Sequence, residues 1–103
     1  MNEINEELLD KASLESAAEC LRTIAHPCRL RMIEVLLKEE RSVGELSDAC
    51  GIPSHMASEH LRILKDRGLL KSRRQGRKVF YGVTEPMLAN IINCVGRKFI
   101  CKD

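Results

Sequence analysis

Residues 42–83 confine this chain to few folds, because their punctuation leaves room only for short elements. Ser42-Val-Gly-Glu45 fits a capping box, in which the Ser side chain accepts from a backbone N–H while the Glu reaches back to the cap residue. A helix over about 43–50 follows, with Leu46 and Ala49 predicted inward. Cys50-Gly51-Ile52 makes a turn, and a second helix over about 54–67 closes at Gly68. On that helix Met56, Leu61 and Leu64, with Ala57 and Ile63 beside them, are predicted to face the core. His55, Ser58, Glu59, Arg62 and Lys65 remain outward. Leu69-Leu70 opens a strand, and Val79, Tyr81 and Val83 alternate with Phe80 and Gly82 in a returning one. Gln75-Gly76 is a looser hairpin signal than Asn-Gly and predicts a loop of three to five residues.

The hairpin segment Lys71-Ser-Arg-Arg-Gln-Gly-Arg-Lys78 holds five positive charges in eight residues and no negative one. Two short helices running into a basic hairpin form a device for holding duplex DNA. The charge distribution agrees. Residues 1–50 carry six Lys and Arg against eleven Asp and Glu, a net of −5, whereas residues 51–103 carry eleven against four, a net of +7. One half is suited to a polyanion, and the other to water or a protein partner.

The flanking segments are helical. Residues 3–25 place Ile4, Leu8, Ala12, Leu14, Ala18, Leu21 and Ala25 at three- and four-residue intervals. Pro27 suits a first helical position, and Leu30, Ile33, Leu36 and Leu37 form the stripe of the next helix. After Pro86, Leu88, Ile91, Ile92, Val95 and Phe99 form another, over about 86–100. A chain of 103 residues makes one domain with a thin core, burying nearer ~60% of its unfolded surface than the ~75% of a large protein. It lacks room for an enzyme pocket, and the helices at about 3–25 and 86–100 expose more apolar surface than it can cover. Dimerisation through those two helices is expected. With three aromatics and no Trp, Leu, Ile, Val, Ala and Met must build a mainly helical core beside the small β-hairpin.

Five Cys cannot all pair internally. The acidic N-terminus has no signal-peptide pattern, and no apolar run approaches the ~20 residues that span a bilayer. A cytoplasmic location with reduced thiols, and no membrane partner, is expected.

The full order, four helices, a two-stranded hairpin and a last helix, resembles the ArsR/SmtB winged helix-turn-helix repressors over nearly the whole chain. Ala25-His-Pro-Cys-Arg-Leu-Arg-Met-Ile33 is similar to the family's start of helix two. Ser42-Val-Gly-Glu-Leu46, Ser58-Glu-His-Leu61, Leu64-Lys-Asp-Arg-Gly-Leu-Leu70 and Gly76-Arg-Lys-Val-Phe-Tyr81 are similar to its later signatures. The resemblance implies a homodimer that represses transcription on double-stranded DNA until a metal ion or redox signal weakens binding. It makes 54–67 the recognition helix, with Ser54, His55, Ser58 and Glu59 near its N-terminal end and able to reach base edges. Arg62 on the same helix, and Arg73, Arg74, Arg77 and Lys78 in the wing, supply backbone contacts. His60 matches a position the family fills with His and is read as packing or phosphate contact.

The resemblance also narrows the signal. Family members with a third-helix metal site carry Cys at positions matching Ser42, Gly44 and Ser47, which have none here. Of the fifth-helix zinc positions, Glu85, Met87, Lys98 and Cys101, only the acid survives. The persulfide-sensing branch pairs a helix-two Cys with a distal Cys matching Cys101, but Glu34 stands at the proximal position unless Cys28 substitutes. Cys28 and Cys101 are the preferred sensor thiols, followed by Cys20 and Cys94, which approach one another if the first and last helices pack. Cys50, in the turn, reads as a small buried hydrophobe. Thiolates suit copper(I), arsenite or cadmium as inducers, or a disulfide or polysulfide bridge. The alternative is a winged-helix regulator with no inducer site, controlled by expression or by a protein partner. A thiol enzyme needs Cys-x-x-Cys or a Cys with a supporting His, and His26 two residues from Cys28 is the nearest approach to either.

Overall fold

The buried stripes of short helices decide how this chain assembles. In a computed structural model describing residues 7–100, the elements are α1 (Lys11–Ile24), α2 (Pro27–Leu36), β1 (Arg41–Ser42), α3 (Val43–Cys50), α4 (Ser54–Asp66), β2 (Leu70–Gln75), β3 (Lys78–Val83) and α5 (Met87–Phe99). Met32 and Ile33 of α2, Leu46 of α3, Leu61 and Leu64 of α4 and Leu88 of α5 are fully buried and form the centre of the core. The helical and hairpin order predicted for a winged helix-turn-helix is present, with one addition. The two-residue β1 pairs with Tyr81 and Phe80 of β3, making a three-stranded antiparallel sheet in the order β1-β3-β2.

Local chemistry sets the element starts. Ser42 Oγ accepts from Glu45 N at 3.2 Å, and Glu45 Oε1 accepts from Ser42 N at 2.9 Å, so the capping box is complete. His26 caps α2 by accepting at Nδ1 from Cys28 N at 3.0 Å, with Pro27 following it.

Four expectations are corrected. The first helix begins at Lys11 and not at residue 3, because Asp10 accepts from Ser13 N at 3.0 Å and caps it there; residues 3–6, Ile4 included, lie outside the described residues. Ala49 is exposed, since the inner stripe of α3 is Val43, Leu46, Ser47 and Cys50, a face that rotates Ala49 outward. Met56 is 43% exposed for the same reason, because Ala57, Leu61 and Leu64 define the inner face of α4. The wing loop is shorter than predicted: Gln75 pairs with Lys78, leaving a two-residue turn of Gly76 and Arg77. Gly76 takes φ +65° there, the positive-φ first position of a II′-type hairpin turn.

The molecule is a plate of 52 × 40 × 20 Å, with a radius of gyration of 15.7 Å against about 13 Å for a compact domain of this length. α2 packs on α3, α4 and α5, whereas the principal partner of α1 is α4. The apolar residues left outside are concentrated at the ends: Leu8, Leu9, Leu14 and Leu21 in and before α1, and Phe99 (72% exposed) and Ile100 at the end of α5. No helix among the described residues is long and apolar enough to cross a membrane.

The capping box provides a test. Ser42→Ala should cost about 1 kcal/mol of unfolding free energy in a urea titration. The Ser42 backbone N–H holds the Glu45 carboxyl below the usual glutamate range, against some desolvation and with help from Arg41 and Lys78. A carboxyl with a depressed folded-state pKa stabilises fully above its unfolded pKa and loses that contribution as pH falls through the folded value. The Tm difference between wild type and Glu45→Gln should therefore be largest at neutral pH and close on acidification.

Candidate nucleic-acid interface

Burial of Ala57, Leu61 and Leu64 fixes the rotation of α4, and that rotation selects what it shows to solvent. Positions 54, 55, 58, 59 and 62 fall within an arc of about 140° at 100° per residue. Ser54, His55, Ser58, Glu59 and Arg62 are all exposed on it. Pro53 precedes the helix with no side-chain cap, and its carbonyl accepts from Met56 N and Ala57 N at 3.0 Å each. The N–H groups of Ser54 and His55 are thus outside the helical ladder and point away from its start, a favourable place for an anion.

A groove runs beside this face, lined by Ser42 to Glu45, Ser47 and Asp48 of α3, Ser54 and Ser58 of α4, and Arg77, Lys78 and Val79 of the wing. Of the wing cations, Arg77 and Lys78 therefore join the N-terminal end of α4 in one concavity. Arg74 is exposed at the hairpin and, like Arg77, has no ion pair among the described residues.

Arg73 is placed differently. Its Nε donates to Glu40 Oε1 at 2.9 Å, its NH1 donates to Gln75 Oε1 at 2.6 Å, and its guanidinium stacks 4.7 Å from the Phe80 ring centroid. Glu40 also holds Lys71 at 3.9 Å. Gly82 lies directly beneath, where an added Cβ would come 3.1 Å from Glu40 Cγ and 3.3 Å from Lys71 Cε and would oblige those side chains to shift by a few tenths of an ångström. Two of the five wing charges thus serve the sheet. On α4, Arg62 pairs with Glu59 at 2.9 Å and Asp66 at 3.9 Å. Exposed pairs of this kind contribute little and open readily.

The thiols are scattered. Cys20 is half-buried against the core, and Cys94 is exposed, accepting weakly from Arg97 at 3.7 Å. Cys101 lies outside the described residues. Because α1 packs on α4 and α5 on α2, the fold does not bring Cys20 and Cys94 together by joining those helices.

Cys28 has richer surroundings. One nitrogen each of His26 and His60, together with Cys28 Sγ, lie within 4.8 Å of one another, and the two rings sit 4.6 Å apart. Arg29 bridges α2, α4 and the end of α1, Nε donating to His60 Nδ1 at 3.0 Å and NH1 to the Thr23 carbonyl at 2.9 Å. Burial, with the charge of Arg29 and the proximity of His26, pushes the His60 pKa down, so the ring stays neutral and able to accept. Cys50 Sγ donates to the Cys28 carbonyl at 3.6 Å, and burial together with the Cys28 thiol pushes its pKa up. Sequence spacing did not bring out this constellation. Its one signal was His60, which falls on the inner edge of α4 beside Leu61 and Leu64, facing whatever packs beneath.

Residues 24–73 match the family model described as a helix-turn-helix domain. The chain is 39% identical over 79 residues to the repressor SmtB of Mycobacterium tuberculosis, an alignment covering 77% of this chain and 58% of that one. Among solved structures, it is similar to the transcriptional repressor BigR of Xylella fastidiosa, with a TM-score of 0.79 and 31% identity over 91% of this chain and all of that one. It is also similar to a homodimeric winged helix-turn-helix DNA-binding domain of Mycobacterium bovis described as a possible ArsR-family regulator, with a TM-score of 0.74 and 27% identity over 91% and 89% of the two chains.

The Arg29–His60 contact ties α2 to α4 across 31 residues of sequence. A double-mutant cycle with Arg29→Met and His60→Phe, measured by chemical denaturation, should give a coupling of roughly 1.5–3 kcal/mol.

Proposed function

The chain belongs to the ArsR/SmtB family of winged helix-turn-helix repressors, transcriptional regulators and not enzymes, and from that premise we propose that it is a homodimeric operator-binding repressor released by thiol chemistry or a soft metal ion. The observation that carries the DNA half is the groove in which Ser54 and Ser58 of α4 meet Arg77 and Lys78 of the wing. Ser54, His55, Ser58 and Glu59 read base edges in the major groove. Glu59 can accept from a cytosine amino group once Arg62 turns from it to a phosphate. Arg74, Arg77 and Lys78 grip the backbone and carry the salt dependence.

Dimerisation through α1 and α5, with the whole chain as one winged-helix unit, is supported by the exposed Leu14, Leu21 and Phe99 and by the flat shape of the monomer. The homodimeric solved relative points the same way. In the proposed release, the inducer favours a dimer whose two α4 helices no longer match successive major-groove faces. One observation favours the alternative of a regulator with no inducer site. Ser42 is committed to the α3 cap and Ser47 is buried in that helix, so the third-helix positions hold no sulfur. Under that alternative, replacing every Cys leaves DNA release unchanged.

The reading is tested by fluorescence anisotropy on a duplex from the protein's own promoter region, against a scrambled duplex, over a range of salt. Arg77→Gln and Lys78→Gln should each lower the slope of log K against log salt by about one, whereas Arg73→Gln, already engaged by Glu40, should change it much less. Glu59→Gln should alter base preference at one position and leave that slope nearly unchanged. Equal affinity for both duplexes would defeat the operator reading.

A further inference from the structure

We propose that His26, Cys28 and His60, with Cys50 beside them, form a binding site for a thiophilic divalent cation of the zinc or cadmium class, and that occupation of the site releases α4 from α2. The proposal names an inducer site for the repressor reading above and so rests on it. The donor set is two imidazoles and a thiolate, which favours borderline-soft cations over magnesium or calcium. One atom from each lies within 4.8 Å of the other two. Tetrahedral ligands at 2.0–2.3 Å from zinc sit roughly 3.3–3.8 Å apart, so no pair must close by more than about 1.5 Å. That is within the reach of side-chain rotation, because all three residues are half-buried and not locked in the deep core. Cys50, at the end of α3, brings a second sulfur beside Cys28, its Sγ donating to the Cys28 carbonyl at 3.6 Å. Both thiols line one open pocket with Pro27, Arg31 and Ala49, which provides access from solvent.

The coupling follows from where the ring protons are. His26 Nδ1 accepts from Cys28 N, and His60 Nδ1 accepts from Arg29 Nε, so each neutral ring carries its proton on Nε2. A cation bound at Nε2 moves that proton to Nδ1, which then donates and can no longer accept. A cation bound at Nδ1 displaces the donor directly. Either way, the ring that binds the ion loses its present hydrogen bond. At His60 the bond lost is the one from Arg29, whose guanidinium the bound cation also repels. The imidazoles remain neutral throughout, and the proton released to solvent comes from the Cys28 thiol as it becomes thiolate. Occupation thus removes the α2–α4 link and weakens the α2 cap together.

The experiment uses the reduced full-length protein titrated with cobalt(II) as a spectroscopic probe, then with zinc(II) and cadmium(II) in competition. Expected is one ion per chain, with a thiolate charge-transfer band, the strong visible absorption of tetrahedral cobalt, and at least a tenfold loss of DNA affinity on loading. Cys28→Ser should abolish the charge-transfer band, or weaken it if Cys50 substitutes. His26→Asn keeps a cap acceptor and His60→Gln keeps an acceptor for Arg29, so both should fold while each weakens cobalt binding at least tenfold. Cys20→Ser and Cys94→Ser should change nothing. An octahedral spectrum, or cobalt binding indifferent to Cys28→Ser and His60→Gln, would overturn the site. Binding there with unchanged DNA affinity would overturn the coupling. If the metal-free protein fails to bind DNA at all, the repressor reading fails while the cobalt titration still decides the site.

Discussion

Burial of Ala57, Leu61 and Leu64 beneath α4 is the constraint on which the rest of this molecule depends. These three side chains are held against Leu46 of α3 and Met32 and Ile33 of α2, in a core with little depth to spare. Turning α4 by one residue, about 100°, in the sense that drives Ser58, Arg62 and Lys65 inward would carry Leu64 toward water, at a cost of several kcal/mol. The helix therefore has one orientation, and the outward arc from Ser54 to Arg62 is a consequence of packing beneath it. His60 lies at the edge of the buried stripe, half-buried and about 100° round the helix from Glu59.

Electrostatics then sorts the cations. The formal basic excess of residues 51–103 overstates what is available for a polyanion, because Glu40 takes Arg73 and Lys71, Glu19 takes Arg67, and Glu59 and Asp66 share Arg62. The acids of the first half of the chain are thus partly structural partners of the second. Arg74 and Arg77 stay clear of ion pairs, and Lys78 meets Glu45 only through the groove. A wing that kept all five charges free would bind any nucleic acid tightly. Partial neutralisation lowers that indiscriminate component and leaves α4 a larger share of the discrimination.

What was legible in the sequence was what is local. The Ser42–Glu45 box, Pro27 at the head of α2 and the glycines closing α3 and α4 act over three or four residues, and each stands where spacing predicted it. Misreadings arose where a helix had more than one apolar face to choose from. Met56 and Ala49 are apolar, but their neighbours Ala57 and Ser47 won the inward positions because two-turn and three-turn helices bury only a narrow stripe. The two-residue turn at Gly76 was hidden because Gln75 and Lys78 are poor strand residues whose pairing is imposed by the adjoining register. Arg29 with His60, Glu40 with Arg73, and the neighbours His26 and Cys28 with His60 are meetings across 31 to 34 residues, and no spacing rule encodes those.

The same packing pattern sets the route by which a signal could reach α4. α2 is the hub, in contact with α3, α4 and α5, while α1 and α5 bear the exposed apolar residues through which the proposed dimer would form. A shift in α5 can reach α4 through α2, and among the described residues the hydrogen bond between those two helices is the Arg29–His60 bond. A charge-assisted hydrogen bond between half-buried groups is worth roughly 1.5–3 kcal/mol and is directional. A link of that size, if made in each of two subunits, corresponds to a change of about 10² or more in the balance between two dimer arrangements. That is the usual scale of coupling between a ligand site and a second site, so under the proposed repressor reading the chemistry around His60 has the leverage to shift such a balance.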